Sequence, residues 1–431
     1  MRLIEIALVA VLLFAALLVG SVWIGLSLFG GGYILLTIYK PNIPLETFSG
    51  KLLWTAATSQ ELLALPLFIL MSDILVTAKL GRSLFSGLAP WVSRLPGGLV
   101  HVNVVGSTLF AAVSGSSAAT TAIVGRVTLP ELQAHGYDRR LSMGSLAGAG
   151  TLGFLIPPSI IMIIYGVVSE QSILRLFIAG IIPGLLLACF YSLYIAVHHT
   201  VIGGHRDARR YSWAERWKGL AEIGPMAALI AGIMGSLYFG LASPTELASV
   251  GVLGAIILSA VRGELNLTNL ALAGRRAVRT TAMMGLILLG AALLNAAFGF
   301  LGLPRAAADW IAGLGLSPFT LIAALLLFYV VIGMFLDGTS IIVMTLPVTL
   351  PLVTAAGFDP IWFGIFIVIA VEISQITPPI GFNLFVIQAQ TSETVGNLVR
   401  AVFPFFMILV GFALLLAAFP QIVLFLPGQM T

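Results

Sequence analysis

Two tandem prolines, Pro157-Pro158 and Pro378-Pro379, interrupt apolar stretches that would otherwise read as continuous helices. Tandem proline removes two backbone donors and disfavours helix in the residue before it, so each stretch must break there. The first break runs from Gly148-Ala-Gly-Thr-Leu-Gly153 into Phe154-Leu-Ile-Pro157-Pro158. The second is Ser374-Gln-Ile-Thr377-Pro378-Pro379, followed by Gly381 and Asn383. The neighbouring glycines let another backbone approach closely. Carbonyls and hydroxyls freed at such breaks suit a hard cation such as Na⁺. The half-helix N-termini beyond them, with unpaired N–H groups and partial positive charge, suit a carboxylate. Two clusters could face the breaks: Ser114-Gly115-Ser116-Ser117 with Thr120-Thr121, and Asp337-Gly338-Thr339-Ser340. Small hydroxyl residues also serve close helix packing, a role left open for Thr120 and Thr121. A functional role is expected for the tips, because non-helical backbone at membrane depth survives only where protein or a cavity covers it.

Ionisable residues at depth are weighed one at a time. Asp337 could bind a cation or cap the helix half that follows it. Glu372, two residues before Ser374, could face the second break. Glu246, in Ala-Ser-Pro244-Thr-Glu246, fits the first turn of a helix, where it would cap and offset the dipole. Asp73 reads as one member of a structural pair with Lys79 or Arg82. Arg126 reads as structural. His198, His199 and His205 fall in a polar linker, where solvent or lipid headgroups are the expected surroundings. Trp23, Trp54, Trp91 and Trp310 fall near expected membrane interfaces.

The elements that must position these residues follow from composition. Of 431 residues 59% are hydrophobic and 9% charged, with a mean hydropathy of +1.09. A soluble domain carries roughly 25% charged residues, so a water-facing surface of ordinary size cannot be built. Apolar stretches of about 20 residues recur along the whole length, enough to cross about 30 Å of hydrocarbon as helices. No alternating pattern of short segments suggests a β-barrel. The net charge of +4 sits in short loops and gives no reason to expect nucleic acid. Cys189, the single cysteine, has no disulfide or metal partner. No G-x-x-x-x-G-K-[ST] loop is present, which excludes direct ATP drive within this chain. The first apolar stretch is expected to be a retained helix rather than a cleaved signal, because an internal repeat gives it a counterpart.

That repeat has an offset of 221 residues: Leu129-Pro130 aligns with Leu350-Pro351, Gly136 and Asp138 with Gly357 and Asp359, the two Pro-Pro pairs with each other, and Pro183 with Pro404. The first half, 1–197, reads as spans near 3–20, 22–39 and 61–79 and an amphipathic piece at 82–96. A helical hairpin at 99–136, a broken span at 139–170 and a last span at 173–197 complete it. A linker at 198–218 follows. The second half, 219–431, repeats the order at 219–240, 243–261, 281–302, 303–316, 318–357, 360–390 and 396–427. If both hairpins are re-entrant, each half has five crossings and the second is inverted. With the linker inside the cell, all Lys and Arg but Arg2, Lys40, Lys51, Arg175 and Arg305 then lie on the cytoplasmic side, as the positive-inside rule requires. Both termini would face the periplasm. The expected fold is an all-α polytopic membrane protein of two inverted-topology repeats, a design that holds substrate and ions where its helices break.

Five motifs, Ala64-Leu-Pro-Leu-Phe-Ile-Leu, Ser114-Gly-Ser-Ser-Ala-Ala-Thr-Thr-Ala, Gly153-Phe-Leu-Ile-Pro-Pro-Ser, Ala242-Ser-Pro-Thr-Glu and Thr377-Pro-Pro-Ile-Gly-Phe-Asn, occur in one order. In this the chain resembles the large membrane subunit (DctM type) of tripartite ATP-independent periplasmic (TRAP) transporters over essentially its whole length. The resemblance implies a bacterial inner-membrane, Na⁺-coupled elevator in which a transport domain of hairpins and broken helices slides against a scaffold. It implies no organic cofactor. The implied partners are a separate small four-helix membrane subunit (DctQ type) and a periplasmic substrate-binding protein (DctP type). The implied substrates are small organic acids: C4-dicarboxylates, sialic acid, sugar acids or keto acids. Carried onto this chain, one Na⁺ site would join Ser114, Ser116 and Ser117 to Gly153, Ile156 and Pro158. A second would join Gly338 and Thr339 to Ser374, Thr377 and Ile380. Substrate would meet Ser116, Ser117, Thr120, Pro157 and Asn383. Phe154 departs from the family pattern, which has a smaller aliphatic residue there. A self-sufficient Na⁺/dicarboxylate symporter of the same superfamily is the alternative.

Overall fold

The computed structural model describes residues 2–77, 80–203, 211–313, 315–379 and 381–430, and every regular element among them is helical. The first half contains α1 (Arg2–Val19), α2 (Ile24–Tyr39), α3 (Leu45–Ala57), α4 (Ala64–Thr77), α5 (Leu80–Val92), α6 (His101–Ser114), α7 (Ser117–Ala134), α8 (Arg139–Leu155), α9 (Ile160–Ser169) and α10 (Ile173–Ile202). The second contains α11 (Trp213–Tyr238), α12 (Pro244–Val261), α13 (Leu267–Leu301), α14 (Leu303–Gly313), α15 (Pro318–Gly333), α16 (Gly338–Ala355), α17 (Pro360–Gln375), α18 (Phe382–Thr391), α19 (Val395–Ala418) and α20 (Gln421–Leu424). Among the described residues seven stretches are long and apolar enough to cross a membrane: 139–169 across the first break, α10, α11, α12, α13, α16 and α19.

Helix bounds recur at the 221-residue offset. The return arms α7 and α16 coincide end to end, and the helices before the breaks, α8 and α17, begin one residue beyond aspartate N-caps, Asp138 and Asp359. Each aspartate accepts from backbone N–H groups of the first turn, Leu141 at 2.7 Å and Ile361 at 2.7 Å, which is what an N-cap carboxylate does for unpaired donors. Both Pro-Pro bonds are cis.

Three elements differ from the sequence reading. Residues 45–57, expected only as a connection, form α3; it leaves Trp54 72% exposed, and its mixed pattern has no long apolar run. The span expected at 281–302 is the end of α13, which starts at Leu267, because hydropathy marks only the apolar part of a helix whose first turns carry Arg275, Arg276 and Arg279. The stretch expected at 396–427 divides into α19 and α20, separated by Pro420.

The helices pack as two groups. In one, α2 lies against α13, α4 against α12 and α5 against α11. The close α2–α13 approach uses glycine: a Cβ on Gly290 would stand 2.3 Å from the Gly25 carbonyl oxygen. In the other, α8 and α17 are the innermost helices, flanked by α6, α7, α10, α15, α16 and α19. The two fill their volume differently. α8 is lined with Gly and Ala, whereas α17 buries Trp362, Phe363 and Phe366, and the Trp362 indole donates to the Leu416 carbonyl at 3.0 Å.

Candidate functional site

Each hairpin tip lies against a helix break. At the first tip α6 ends on Gly115 in the left-handed region (φ 58°), a conformation that favours glycine. A Cβ there would stand 2.9 Å from the Pro158 carbonyl oxygen, and the Ile160 N–H donates to the Gly115 carbonyl at 3.3 Å. On the other side of the break, a Cβ on Gly153 would stand 2.5 Å from the Ser116 carbonyl oxygen. The structure therefore brings Ser114, Ser116 and Ser117 together with Gly153 and Pro158. The Ile156 side chain packs on Gly184 of α10. Phe154 is half-buried and packs on the core.

At the second tip Asp337 caps α16. Its carboxylate accepts from the Thr339 N–H at 3.0 Å and the Ser340 N–H at 3.3 Å, and from the Ser340 hydroxyl. Capping is thus its observed role, as for Glu246, which closes a capping box with Ser243. Gly333 rests on Ser374, since a Cβ there would stand 2.2 Å from the serine Cβ. Gly338 abuts the Val371 side chain, one turn before Ser374. The Thr339 hydroxyl donates to the Met284 sulfur of α13 at 3.7 Å. Ile380 lies outside the described residues.

Three hydroxyls at these tips and breaks share one property. Thr377 Oγ1 donates to the Ile373 carbonyl at 2.6 Å and Ser374 Oγ to the Val371 carbonyl at 2.6 Å. Thr120 Oγ1 donates to the Ser116 carbonyl at 2.8 Å. With its proton committed to a backbone carbonyl, each oxygen has lone pairs left over, and lone pairs are what a hard cation needs. Gly381 curls the second break back on itself: a Cβ there would stand 2.9 Å from both the Gln375 and Thr377 carbonyl oxygens. Among the described residues no group of three or more His, Cys, Asp or Glu could hold a metal.

Contacts between the halves were not legible in the sequence. Asn383, at the start of α18, donates through Nδ2 to Ser117 Oγ at 2.8 Å and accepts from the Ser117 hydroxyl at 3.2 Å; both residues are fully buried. Further along α18, Gln390 Nε2 donates to the Ala122 carbonyl at 2.9 Å. Reciprocally, α9 packs against α16, and the Tyr165 hydroxyl donates to the Pro360 carbonyl at 2.6 Å. Arg139 pairs with Glu393 at 3.2 Å and donates to the Thr391 carbonyl at 2.9 Å. Each return arm thus leans on the post-break helix of the other half. A single polar residue on an apolar helix carries no periodic signal, which is why these pairs could not be read beforehand.

Three groups assigned provisionally from sequence also find their places. Glu372 is fully buried, with no geometric hydrogen bond to either carboxylate oxygen and the Leu155 backbone close by. Tyr191, also fully buried, is its neighbour on α10. Asp73 has Arg276 of α13 as its nearby opposite charge, whereas Lys79 lies outside the described residues. Arg126 is exposed. A cavity of about 1000 Å³ separates the two helix groups, between α3, α12 and α13 on one side and the α9–α10 turn on the other.

A sequence model of the family "Tripartite ATP-independent periplasmic transporter, DctM component" matches residues 11–422. The chain is 33% identical over 401 residues to the C4-dicarboxylate TRAP transporter large permease protein DctM of Pseudomonas aeruginosa, covering 92% of each chain. It is 32% identical over 368 residues to the ectoine TRAP transporter large permease protein TeaC of Halomonas elongata, covering 85% of this chain and 86% of that one. Among solved structures, the Alcanivorax borkumensis YdaH transporter superposes with a TM-score of 0.65 at 17% identity, covering 90% of this chain and 89% of the other; that likeness concerns the fold.

Proposed function

The chain belongs to the DctM component family of tripartite ATP-independent periplasmic transporters, and from that premise we propose that it is the permease of a Na⁺-coupled importer of a small organic acid. The observation that carries the reading is the pairing of each hairpin tip with a helix break, with the hydroxyls of Thr120 at the first and of Ser374 and Thr377 at the second keeping lone pairs to spare. One Na⁺ is held by Ser114, Ser116, Ser117, Gly153, Ile156 and Pro158, and a second by Gly338, Thr339, Ser374, Thr377 and Ile380. Substrate carboxylate binds among Ser116, Ser117, Thr120, Pro157 and Asn383, next to the N-terminus of α18. These residues bind and orient; the Na⁺ gradient supplies the drive.

The group built on α8 and α17 is the transport domain, and the group built on α2, α4, α5, α11, α12 and α13 the scaffold. The halves are inverted, with the 198–218 linker in the cytoplasm and both termini in the periplasm. In that orientation the 1000 Å³ cavity opens towards the periplasm, where an elevator needs room for its outward stroke. A DctQ-type small subunit and a DctP-type binding protein complete the transporter. The relatives' names, C4-dicarboxylate and ectoine, share a small carboxylate-bearing substrate, and that class is assigned here. Uptake of labelled organic acids into proteoliposomes tests it, with and without an inward Na⁺ gradient, for this chain alone and with both partners. Uptake requiring the gradient and both partners supports the assignment. Uptake by this chain alone replaces it with the self-sufficient symporter.

A further inference from the structure

A second cavity, of about 450 Å³, lies away from both breaks, where the base of the first hairpin, the start of α8, the end of α10 and the second turn of α19 meet. Its lining gathers Arg140, Arg400, His198 and His199. The one carboxylate there, Asp138, is committed to capping α8 through the Leu141 N–H at 2.7 Å. Arg139, adjacent in sequence, is spent on Glu393 and the Thr391 carbonyl, whereas Arg140 faces the cavity. Tyr194 lines the same wall and holds its ring 5.9 Å from that of His198.

The length of α10 puts the cavity at headgroup depth. Helix α10 has 30 residues. At 1.5 Å per residue it is about 45 Å long, against about 30 Å of hydrocarbon, so its last turns emerge from the apolar layer. Exposed apolar side chains lie on the same two helices, α10 and α19. Ile202 lines it and is 68% exposed, and Val197 and Val201 continue round the same helix at 49% and 77%. Phe403, beside the lining residue Pro404, is 58% exposed.

We propose that this cavity binds the phosphate of an anionic phospholipid, with the acyl chains lying along the exposed faces of α10 and α19. A basic pocket between transmembrane helices at the headgroup level has the chemistry for this ligand, and guanidinium forks match phosphate oxygens in pairs. Cations alone would also take a soluble phosphate; the exposed apolar side chains favour the lipid. The inference needs only that the chain spans a membrane, and it stands or falls independently of substrate and Na⁺ coupling.

The test is native mass spectrometry of the purified full chain in detergent, with phosphatidylglycerol, phosphatidylcholine or inorganic phosphate added in turn. The wild-type protein should retain phosphatidylglycerol over phosphatidylcholine. The double variant Arg140→Ala/Arg400→Ala should bind phosphatidylglycerol about thirtyfold more weakly, at about 1 kcal/mol per basic residue and tenfold per 1.4 kcal/mol. Arg140→Lys/Arg400→Lys, which keeps both charges, should retain most of the preference and guards against misfolding of the alanine variant. Equal retention of the two lipids by the wild type, or unchanged phosphatidylglycerol binding in the alanine variant, overturns the proposal. So does inorganic phosphate that displaces the lipid at equal concentration, which would assign the cavity to a soluble anion.

Discussion

Cutting the Ser117–Asn383 bridge should loosen the joint between the two halves by more than the worth of one hydrogen bond. Both residues are fully buried, and the pair exchanges bonds of 2.8 and 3.2 Å, with a longer one of 3.4 Å from the asparagine amide to the Ala147 carbonyl. A neutral hydrogen bond contributes a net of about 1 kcal/mol, but a buried partner left unpaired costs about 1–3 kcal/mol. Ser117→Ala strands the side-chain carbonyl of Asn383, leaves its NH₂ with only the longer bond to Ala147, and should destabilise by about 2 kcal/mol. Asn383→Ala strands the Ser117 hydroxyl and opens a small cavity, for about 3 kcal/mol. The double variant removes both groups and leaves no orphan of the pair, so its cost should fall short of the sum by about 1 kcal/mol or more. Equilibrium unfolding of the four proteins in mixed micelles measures that shortfall. Additivity within about 0.3–0.5 kcal/mol, the scatter expected of independent sites, would refute the idea that the bridge joins the halves.

Three further outcomes are expected. Gly153→Ala places a Cβ 2.5 Å from the Ser116 carbonyl, a backbone atom that cannot turn aside, so the tip must shift; about 1–3 kcal/mol of stability and most Na⁺-dependent uptake should be lost, whereas Gly396→Ala, with nothing within 4 Å, should be neutral. Thr377→Val keeps the shape and removes an oxygen whose proton is already committed to Ile373; the Na⁺ concentration for half-maximal uptake should rise several-fold, and an unchanged value removes Thr377 from the ion site. In a Cys189→Ala background, Ser212→Cys at the N-cap of α11 should be labelled by an impermeant maleimide only from the cytoplasmic side, and periplasmic labelling would overturn the assigned orientation.

What the sequence made legible is what proline, glycine and aspartate mark. The breaks, the hairpin turns and the start of α8 and α17 all fall on such residues, whose backbone demands are local, and α7 and α16 agree to the residue. Elements defined by a change of environment were not legible. The first turns of α13 are as helical as the rest, but Arg275, Arg276 and Arg279 take them out of the apolar layer that hydropathy detects. In α3, Glu46 and Lys51 likewise interrupt the apolar run. The site was half legible: the facing of tip and break follows from their order, but not that Asn383 reaches Ser117, 266 residues away in sequence. Nor did sequence show that Glu372 would be buried with both oxygens unpaired, since burial of a carboxylate depends on packing by α8 and α10 rather than on its neighbours in the chain.

Because each return arm leans on the other half, the two breaks are not independent. The first tip touches break one through Gly115 and Gly153, and touches α18 through Ser117. α18 in turn begins one residue after the proline-bounded loop's Gly381, which is pressed against the Gln375 and Thr377 carbonyls of break two. The chain of contact from one break to the other is therefore short, and every link is backbone or a buried hydrogen bond. The reciprocal link, α9 against α16 and Tyr165 against Pro360, closes the circuit from the opposite side. An oxygen cluster tightened round an ion at one break must pull on the tip, on α18 and so on the second cluster, and coupling of this kind is reciprocal. A fold with each hairpin resting wholly on its own half would lack that property.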